Sequence, residues 1–174
     1  FGNEHGNAPG QTTTKISNST SDSALFYPDF TISIIDSLRK VKWKYDILNV
    51  DNISDNKIFK TLIQTKPRLV IYSGYGSQIV PKKLLDIGSP FLHLHSGMLP
   101  EYRGSTTLYY SWLIEKTCAV SAIILDENID TGRIVAKKIY PPPPKKIDPD
   151  YVYDPVIRAD LLIDVLKEFS TKRK

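Results

Sequence analysis

The segment Phe91-Leu92-His93-Leu94-His95 alternates leucines with imidazoles. Strand side chains point to opposite faces in turn, so His93 and His95 share one face while Leu92 and Leu94 share the other. Further along, the turn Ile129-Asp130-Thr131-Gly132 supplies a carboxylate. Two groups that titrate near neutral pH and one carboxylate are equipment for acid–base chemistry. A His-x-His pair is equally compatible with two metal ligands. No second ligand pair follows at metal spacing, so no metal is expected. The single cysteine, Cys118, has no partner for an internal disulfide and sits in an apolar run, which reads as a buried, inert thiol.

The elements that must position these groups are legible from periodicity and punctuation. Residues 1–28 are rich in Gly, Asn, Ser and Thr and read as a flexible arm or loop. A helix is expected over 29–42, with Asp29 as N-cap and Ile32, Ile35 and Leu38 at helical spacing. A short strand is expected over 45–50, then a helix capped by Ser54, bearing Ile58, Phe59, Leu62 and Ile63 and stopped by Lys66-Pro67. Next come a buried strand over 69–72, the loop 73–76, a short helix over 81–86 and a strand over 90–95. After the loop 96–104, a helix over 105–116 should turn Leu108, Trp112 and Leu113 inward. Strands over 119–126 and 133–140 flank a short turn and should pair as a hairpin. Pro141 to Pro144 form a stiff connector. Asp154-Pro155 then opens a last helix carrying Ile157, Leu161, Leu162, Val165 and Phe169. Strands alternating with helices before the hairpin indicate an α/β fold, a three-layer, Rossmann-like, mostly parallel sheet with a C-terminal antiparallel hairpin. In such sheets ligands bind beyond the carboxyl ends of the strands, where His95, the 73–76 loop and Asp130 all fall.

Composition limits the classes open to the chain. Its 174 residues, 41% of them hydrophobic, suit one globular domain with a core. The net charge of +4 comes from separate clusters, Lys145-Lys146 and Lys172-Arg173-Lys174, rather than a continuous stripe. They read as solvated surface, and no nucleic-acid partner is expected. Apolar runs such as Val120 to Leu125 are too short to cross a bilayer, no secretory signal is visible, and the cytoplasm is the expected compartment. Met98 is the single methionine and residue 1 is Phe, so the chain is not expected to start at its own initiator.

Residues 66–140 resemble the catalytic core of the folate-dependent formyltransferases. That family carries Asn-x-His, then a Leu-Leu-Pro-x-Tyr-Arg-Gly-like loop, then Asp in an Asp-Thr-Gly or Asp-Ala-Gly turn. Here stand His93-Leu94-His95, then Gly97-Met98-Leu99-Pro100-Glu101-Tyr102-Arg103-Gly104, then Ile129-Asp130-Thr131-Gly132. Tyr75-Gly76 resembles the family's Ala-Tyr-Gly segment. Two departures stand out: His93 occupies the family's Asn position, and the family's first strand, helix and strand have no counterpart before Phe1. The resemblance implies a formyltransferase-like fold apparently lacking that first βαβ unit, with a catalytic core over 29–144 and an extension over 145–174 carrying one helix.

The resemblance also implies a reaction. A neutral amine attacks the formyl group of 10-formyltetrahydrofolate, the co-substrate, so an oxyanion must be stabilised and a cationic nitrogen deprotonated. His95 would do the first or relay a proton, Asp130 would orient His95, and His93 would donate to the formyl oxygen. The pterin would lie against Tyr75, Gly76, Leu125, Asp126 and Ile129. The segments 104–112 and 140–160 are similar to those of bacterial sugar N-formyltransferases, which implies a nucleotide-linked amino sugar as small-molecule substrate. The chain leaves no room for the C-terminal nucleic-acid-binding domain of the tRNA enzyme. Arg103 or Arg158 would meet a diphosphate, Tyr151 or Tyr153 a base, and Tyr102, Ser105 and Thr106 would join the substrate site. Helices and exposed edges are compatible with a homodimer. Another small amine as acceptor, or a folate- or nucleotide-sugar-binding protein without turnover, are the alternatives.

Overall fold

The structure is a computed structural model that describes residues 25–75 and 78–171. The arm expected over 1–28 lies almost wholly outside those residues. The chain divides into two compact units, one ending at Asn49 and one running from Val50 to the end.

The first unit contains one described helix, α1 (Ile34–Lys40), shorter than the 29–42 expected. Ser33 is the N-cap, its hydroxyl accepting from the Asp36 N–H at 3.0 Å. Asp29 instead folds a turn, accepting from the N–H and hydroxyl of Thr31. An Asp that bonds its backbone two residues on competes with helix, which delays the helix start. The strand expected over 45–50 does not form. Its residues find no ladder partner among the described residues, and Ile47 is 64% exposed. An apolar alternation is only a potential strand until another strand pairs with it.

In the second unit, α2 (Asn56–Thr65) is capped by Asp55 rather than Ser54, and Lys66 ends it in the left-handed conformation with Pro67 behind. β1 (Val70–Tyr72) leads through a loop to α3 (Lys82–Leu85) and β2 (Phe91–His95). Then come α4 (Thr107–Glu115), β3 (Cys118–Ile124) and β4 (Arg133–Tyr140). The four strands lie in the order β1-β2-β3-β4. β1 pairs parallel with β2, while β2–β3 and β3–β4 are antiparallel, so the expected hairpin is present in an α/β sheet. β1 is an edge strand of this sheet and only half-buried, with Ile71 46% exposed, in contrast to the buried strand expected. Leu113 also departs from expectation: it is 65% exposed, and α4 buries Thr107, Leu108 and Ser111 instead.

The last helix begins earlier than Asp154-Pro155 suggests. Asp148 caps a π-helical turn, Pro149–Tyr153, accepting from the N–H groups of Asp150 and Tyr151, and α5 (Asp154–Thr171) continues directly from it. Asp154 is therefore a helical residue and not a cap. α5 lies against β2, β3 and β4 through Val156, Ile157, Leu161 and Val165; Phe169 is exposed. Beside that apolar seam, Lys138 of β4 reaches Asp160 and Asp164 of α5, each at 2.7 Å, and the Tyr140 hydroxyl donates to Asp160 at 2.9 Å.

The hydrogen bond from Lys138 holds the Asp164 carboxyl below the usual carboxylate range. A carboxyl with a depressed folded pKa adds stability above its unfolded pKa, and that stability is lost as pH falls through the folded value. All three groups are partly solvated, so screening keeps the contribution small. Lys138→Met should lower unfolding stability by roughly 0.5–1 kcal/mol near neutral pH. The gap to the parent should close as pH falls below the ordinary carboxylate pKa of about 4, measured by urea unfolding across pH.

Candidate active site

β2 delivers the two imidazoles to the carboxyl end of its strand as the alternation requires. Leu92 and Leu94 are buried on the opposite face, at 1% and 6% exposure. His95 Nε2 lies 2.7 Å from the Tyr102 carbonyl oxygen. A carbonyl accepts only, so Nε2 carries the proton and Nδ1 a lone pair. Nδ1 faces Asp130, with Oδ2 at 3.5 Å, and both side chains are nearly buried. Asp130 Oδ2 accepts a hydrogen bond from the Gly104 N–H at 2.8 Å.

Three loops hold that pair. Asp130 sits in the turn between β3 and β4, just past a register shift opposite Ala122 and Ile123, and its own φ is +53°. Gly104 has a φ of +92°, where a side chain would be strained, and its N–H is the one that reaches Asp130. Gly97 is required for space: a Cβ there would meet His95 Nε2 and Thr107 Cβ at 2.9 Å. Two buried hydroxyls that the sequence analysis missed complete the framework. Ser121 of β3, fully buried, donates to the Gly97 carbonyl at 2.7 Å and accepts from the Leu99 N–H at 3.0 Å. Thr107 donates to the Ser96 carbonyl, and its Oγ1 lies 3.4 Å from His95 Nε2. The available signal was a serine inside the otherwise apolar run of β3, since a buried hydroxyl needs partners.

His93 is differently bound. Its Nδ1 donates to the Tyr72 carbonyl at 3.2 Å, leaving Nε2 as the nitrogen with a lone pair. Burial holds this imidazole below the usual histidine range, opposed by the Tyr72 carbonyl and the Asp130 carboxylate. At neutral pH the ring is uncharged. Its proton is committed to Tyr72, which corrects the expectation that His93 donates to a formyl oxygen. One ligand atom from each of His93, His95 and Asp130 lies within 4.8 Å of the others.

These residues open on a cleft of about 800 Å³. Tyr75, Leu125, Asp126, Ile129, Ser105, Thr106 and Arg158 line it, as does His93. Asp126 spends one oxygen on its own turn, accepting from the Asn128 N–H and the Thr131 hydroxyl. Gly76 lies outside the described residues. Tyr102 is not in the cleft; its carbonyl serves His95, and its hydroxyl donates to Glu115. Arg103 and Tyr151 are exposed away from the cleft. Tyr153 is 1% exposed and donates its hydroxyl to the Pro141 carbonyl, so it is a core residue and not a base-stacking one. The π-helical turn explains the error, because it rolls Tyr153 inward ahead of α5. Arg158 pairs with Asp154 at 2.7 Å, yet its buried Nε has no hydrogen-bond partner. Gln78 Oε1, also lining the cleft, has none either. Cys118 is fully buried in β3, and burial pushes its thiol up to about 11, so it remains protonated.

A sequence model of the formyl transferase family matches residues 29–152, well over half of the chain. The chain belongs to that family. Methionyl-tRNA formyltransferase of Finegoldia magna is 31% identical over 100 residues, covering 56% of this chain and 32% of the relative. The chain spans about a third of the length of the curated relatives it matches. Among solved structures, phosphoribosylglycinamide formyltransferase of Streptococcus pneumoniae superposes with a TM-score of 0.59 at 18% identity, over 78% of this chain and 79% of that one. Methionyl-tRNA formyltransferase of Clostridium thermocellum gives 0.56 at 22% identity, over 75% and 57%. These likenesses show the formyltransferase fold. No described helix is long and apolar enough to cross a membrane.

The framework makes a measurable statement about Ser121. Ser121→Ala strands a buried carbonyl and a buried N–H, which should cost about 1–3 kcal/mol in urea unfolding. Ser121→Thr, which restores a hydroxyl, should recover part of it.

Proposed function

We propose that the protein is an N-formyltransferase that moves a formyl group from 10-formyltetrahydrofolate to the amine of a nucleotide-linked amino sugar. The observation that carries this reading is the His95–Asp130 pair at the end of β2, held by the Tyr102 carbonyl and the Gly104 N–H at the floor of an open cleft. Membership of the formyl transferase family supports the reaction class.

The cleft suits the co-substrate. Val80, Leu125 and Ile129 offer apolar wall to a flat heterocycle, with Tyr75 beside them. Gln78 Oε1 needs a donor, which the N–H edge of a pterin has. Arg158 Nε needs an acceptor, which a phosphate oxygen of the nucleotide supplies. When bound, the co-substrate supplies an activated one-carbon unit with a carbonyl oxygen. The residues of the chain do the rest. His95 Nδ1, unprotonated and beside Asp130, takes the proton released by the attacking nitrogen, as a general base. The imidazolium so formed, paired with the Asp130 carboxylate, offsets negative charge on the formyl oxygen and returns the proton to the folate nitrogen as the bond from that nitrogen to the formyl carbon breaks. His93, neutral and with its Nε2 lone pair available, accepts a hydrogen bond from the incoming amine.

Acceptor identity is tested by mass spectrometry of the protein with 10-formyltetrahydrofolate and three acceptor types: nucleotide-linked amino sugars, phosphoribosylglycinamide and methionyl-tRNA. The last two are the acceptors named for its relatives. The expected product is a formylated amino sugar. His95→Ala and Asp130→Asn should each lower its rate by about 10²–10⁴-fold. Product from another acceptor instead would reassign the substrate. No product from any, alongside folate binding by calorimetry, would make this a binding protein without turnover.

A further inference from the structure

We propose that His93, His95 and Asp130 also form a binding site for a divalent transition-metal cation, with zinc(II) the best match to the donors. One ligand atom from each lies within 4.8 Å of the other two. The sequence spacing offers a His-x-His pair only; the β3–β4 turn brings the third ligand.

Three features go beyond mere proximity. Both imidazoles have their tautomers fixed by backbone carbonyls, His95 by Tyr102 at 2.7 Å and His93 by Tyr72 at 3.2 Å. Metal-ligating histidines almost always donate their second ring N–H in this way, which orients the ring and raises the basicity of the other nitrogen. Second, Asp130 is itself oriented by the Gly104 N–H at 2.8 Å. Third, His95 Nδ1 and Asp130 Oδ2 are both lone-pair donors and stand 3.5 Å apart. A proton or a cation between them turns a repulsive approach into an attractive one. Ligand atoms on a tetrahedral zinc lie about 3.3 Å apart, given bonds of about 2.0–2.1 Å. The His95–Asp130 separation already matches, and His93, within 4.8 Å, closes the site by side-chain adjustment.

The donor set selects the ion. Two imidazoles and one carboxylate suit zinc and its neighbours, whereas calcium and magnesium take oxygen ligands. Three protein ligands leave a fourth position open toward the cleft. Asp126 and Asp150 line the same cleft and raise the local concentration of cations, while Asp154 neutralises Arg158. His93 is decisive, because an asparagine at this position, as in the family resemblance, would leave two strong ligands. Metal binding also occupies His95 Nδ1 and Asp130, so the metal-bound form and the form that transfers formyl groups exclude each other. The site itself does not rest on the transfer reaction, since binding is read without turnover.

The test uses zinc(II) alone, by calorimetry and by competition with a chromogenic chelator, on the parent protein, His93→Asn, Asp130→Asn and His5→Gln. The expected result is one zinc per chain, unchanged in His5→Gln and weakened at least about 10–100-fold in His93→Asn, the range for losing even an outer partner of a ligand. Circular dichroism checks that the variants are folded. X-ray absorption of the zinc-loaded parent gives an answer that needs no variant: nitrogen and oxygen neighbours at about 2.0–2.2 Å are expected. No saturable binding, equal affinity in His93→Asn, or a sulfur neighbour at about 2.3 Å, pointing to Cys118, would each overturn the site.

Discussion

Because a carbonyl oxygen can only accept, the 2.7 Å contact between His95 Nε2 and the Tyr102 carbonyl decides which nitrogen of His95 is available for chemistry. The proton goes to Nε2 and the lone pair to Nδ1, toward Asp130. Everything else around the cleft serves this assignment. Ser121 ties down the backbone of Gly97 and Leu99, Thr107 ties down Ser96, and the chain between them is thereby carried to where Tyr102 can present its carbonyl. Gly97 keeps the space beside the ring clear.

Backbone strain is distributed in a way that separates structural from functional positions. Lys66 and Lys116 adopt the left-handed conformation at helix C-termini, where it is an ordinary way to end a helix. Thr106 and Asp130 adopt it where they line the cleft, with φ of +64° and +53°. For a β-branched residue such as Thr106 this is a genuine outlier. Such residues persist where surrounding structure over-determines them, and they gather at working sites. Here the surrounding structure is identifiable. Asp130 is held from the Gly104 N–H and from a turn whose Asp126 carboxylate binds Asn128 and Thr131. Thr106 immediately precedes Thr107, whose hydroxyl is locked to Ser96.

The strand period alone places His93 and His95 on one face, and the turn residues mark Asp130, so the core of the site was legible without coordinates. The sheet hairpin was legible for the same reason, two apolar runs across a short turn. What escaped was long-range. Ser121 and Thr107 act through hydroxyls that bond backbone from distant elements; a serine in the apolar run of β3 signals that partners are needed but not which ones. The base-stacking role of Tyr153 rests on the family resemblance alone, whereas the turn capped by Asp148 holds its ring in the core. The strand expected over 45–50 failed for a related reason. Pairing is a property of two segments, and only one of them was visible. Leu113 shows the limit of helical periodicity, which finds apolar positions but not the face that a neighbour covers.

The charge distribution in the cleft constrains what can react there. Four carboxylates, on Asp126, Asp130, Asp150 and Asp154, face it, against one guanidinium that is already paired. Such a lining attracts a protonated amine, yet only the neutral amine has the lone pair needed to attack a carbonyl carbon. Attraction and reactivity therefore favour opposite protonation states, and a base must act between them. His93 is suited to that place: uncharged because it is buried, it presents an acceptor where the family resemblance has an amide. On the proposed function, the exchange of Asn for His puts an acceptor for the amine where the family resemblance has a donor to the formyl oxygen. On that reading, charge stabilisation falls to the His95–Asp130 pair. The same exchange gives the cluster its third strong ligand, so the lone pair that helps an amine is also the one that would admit a metal ion.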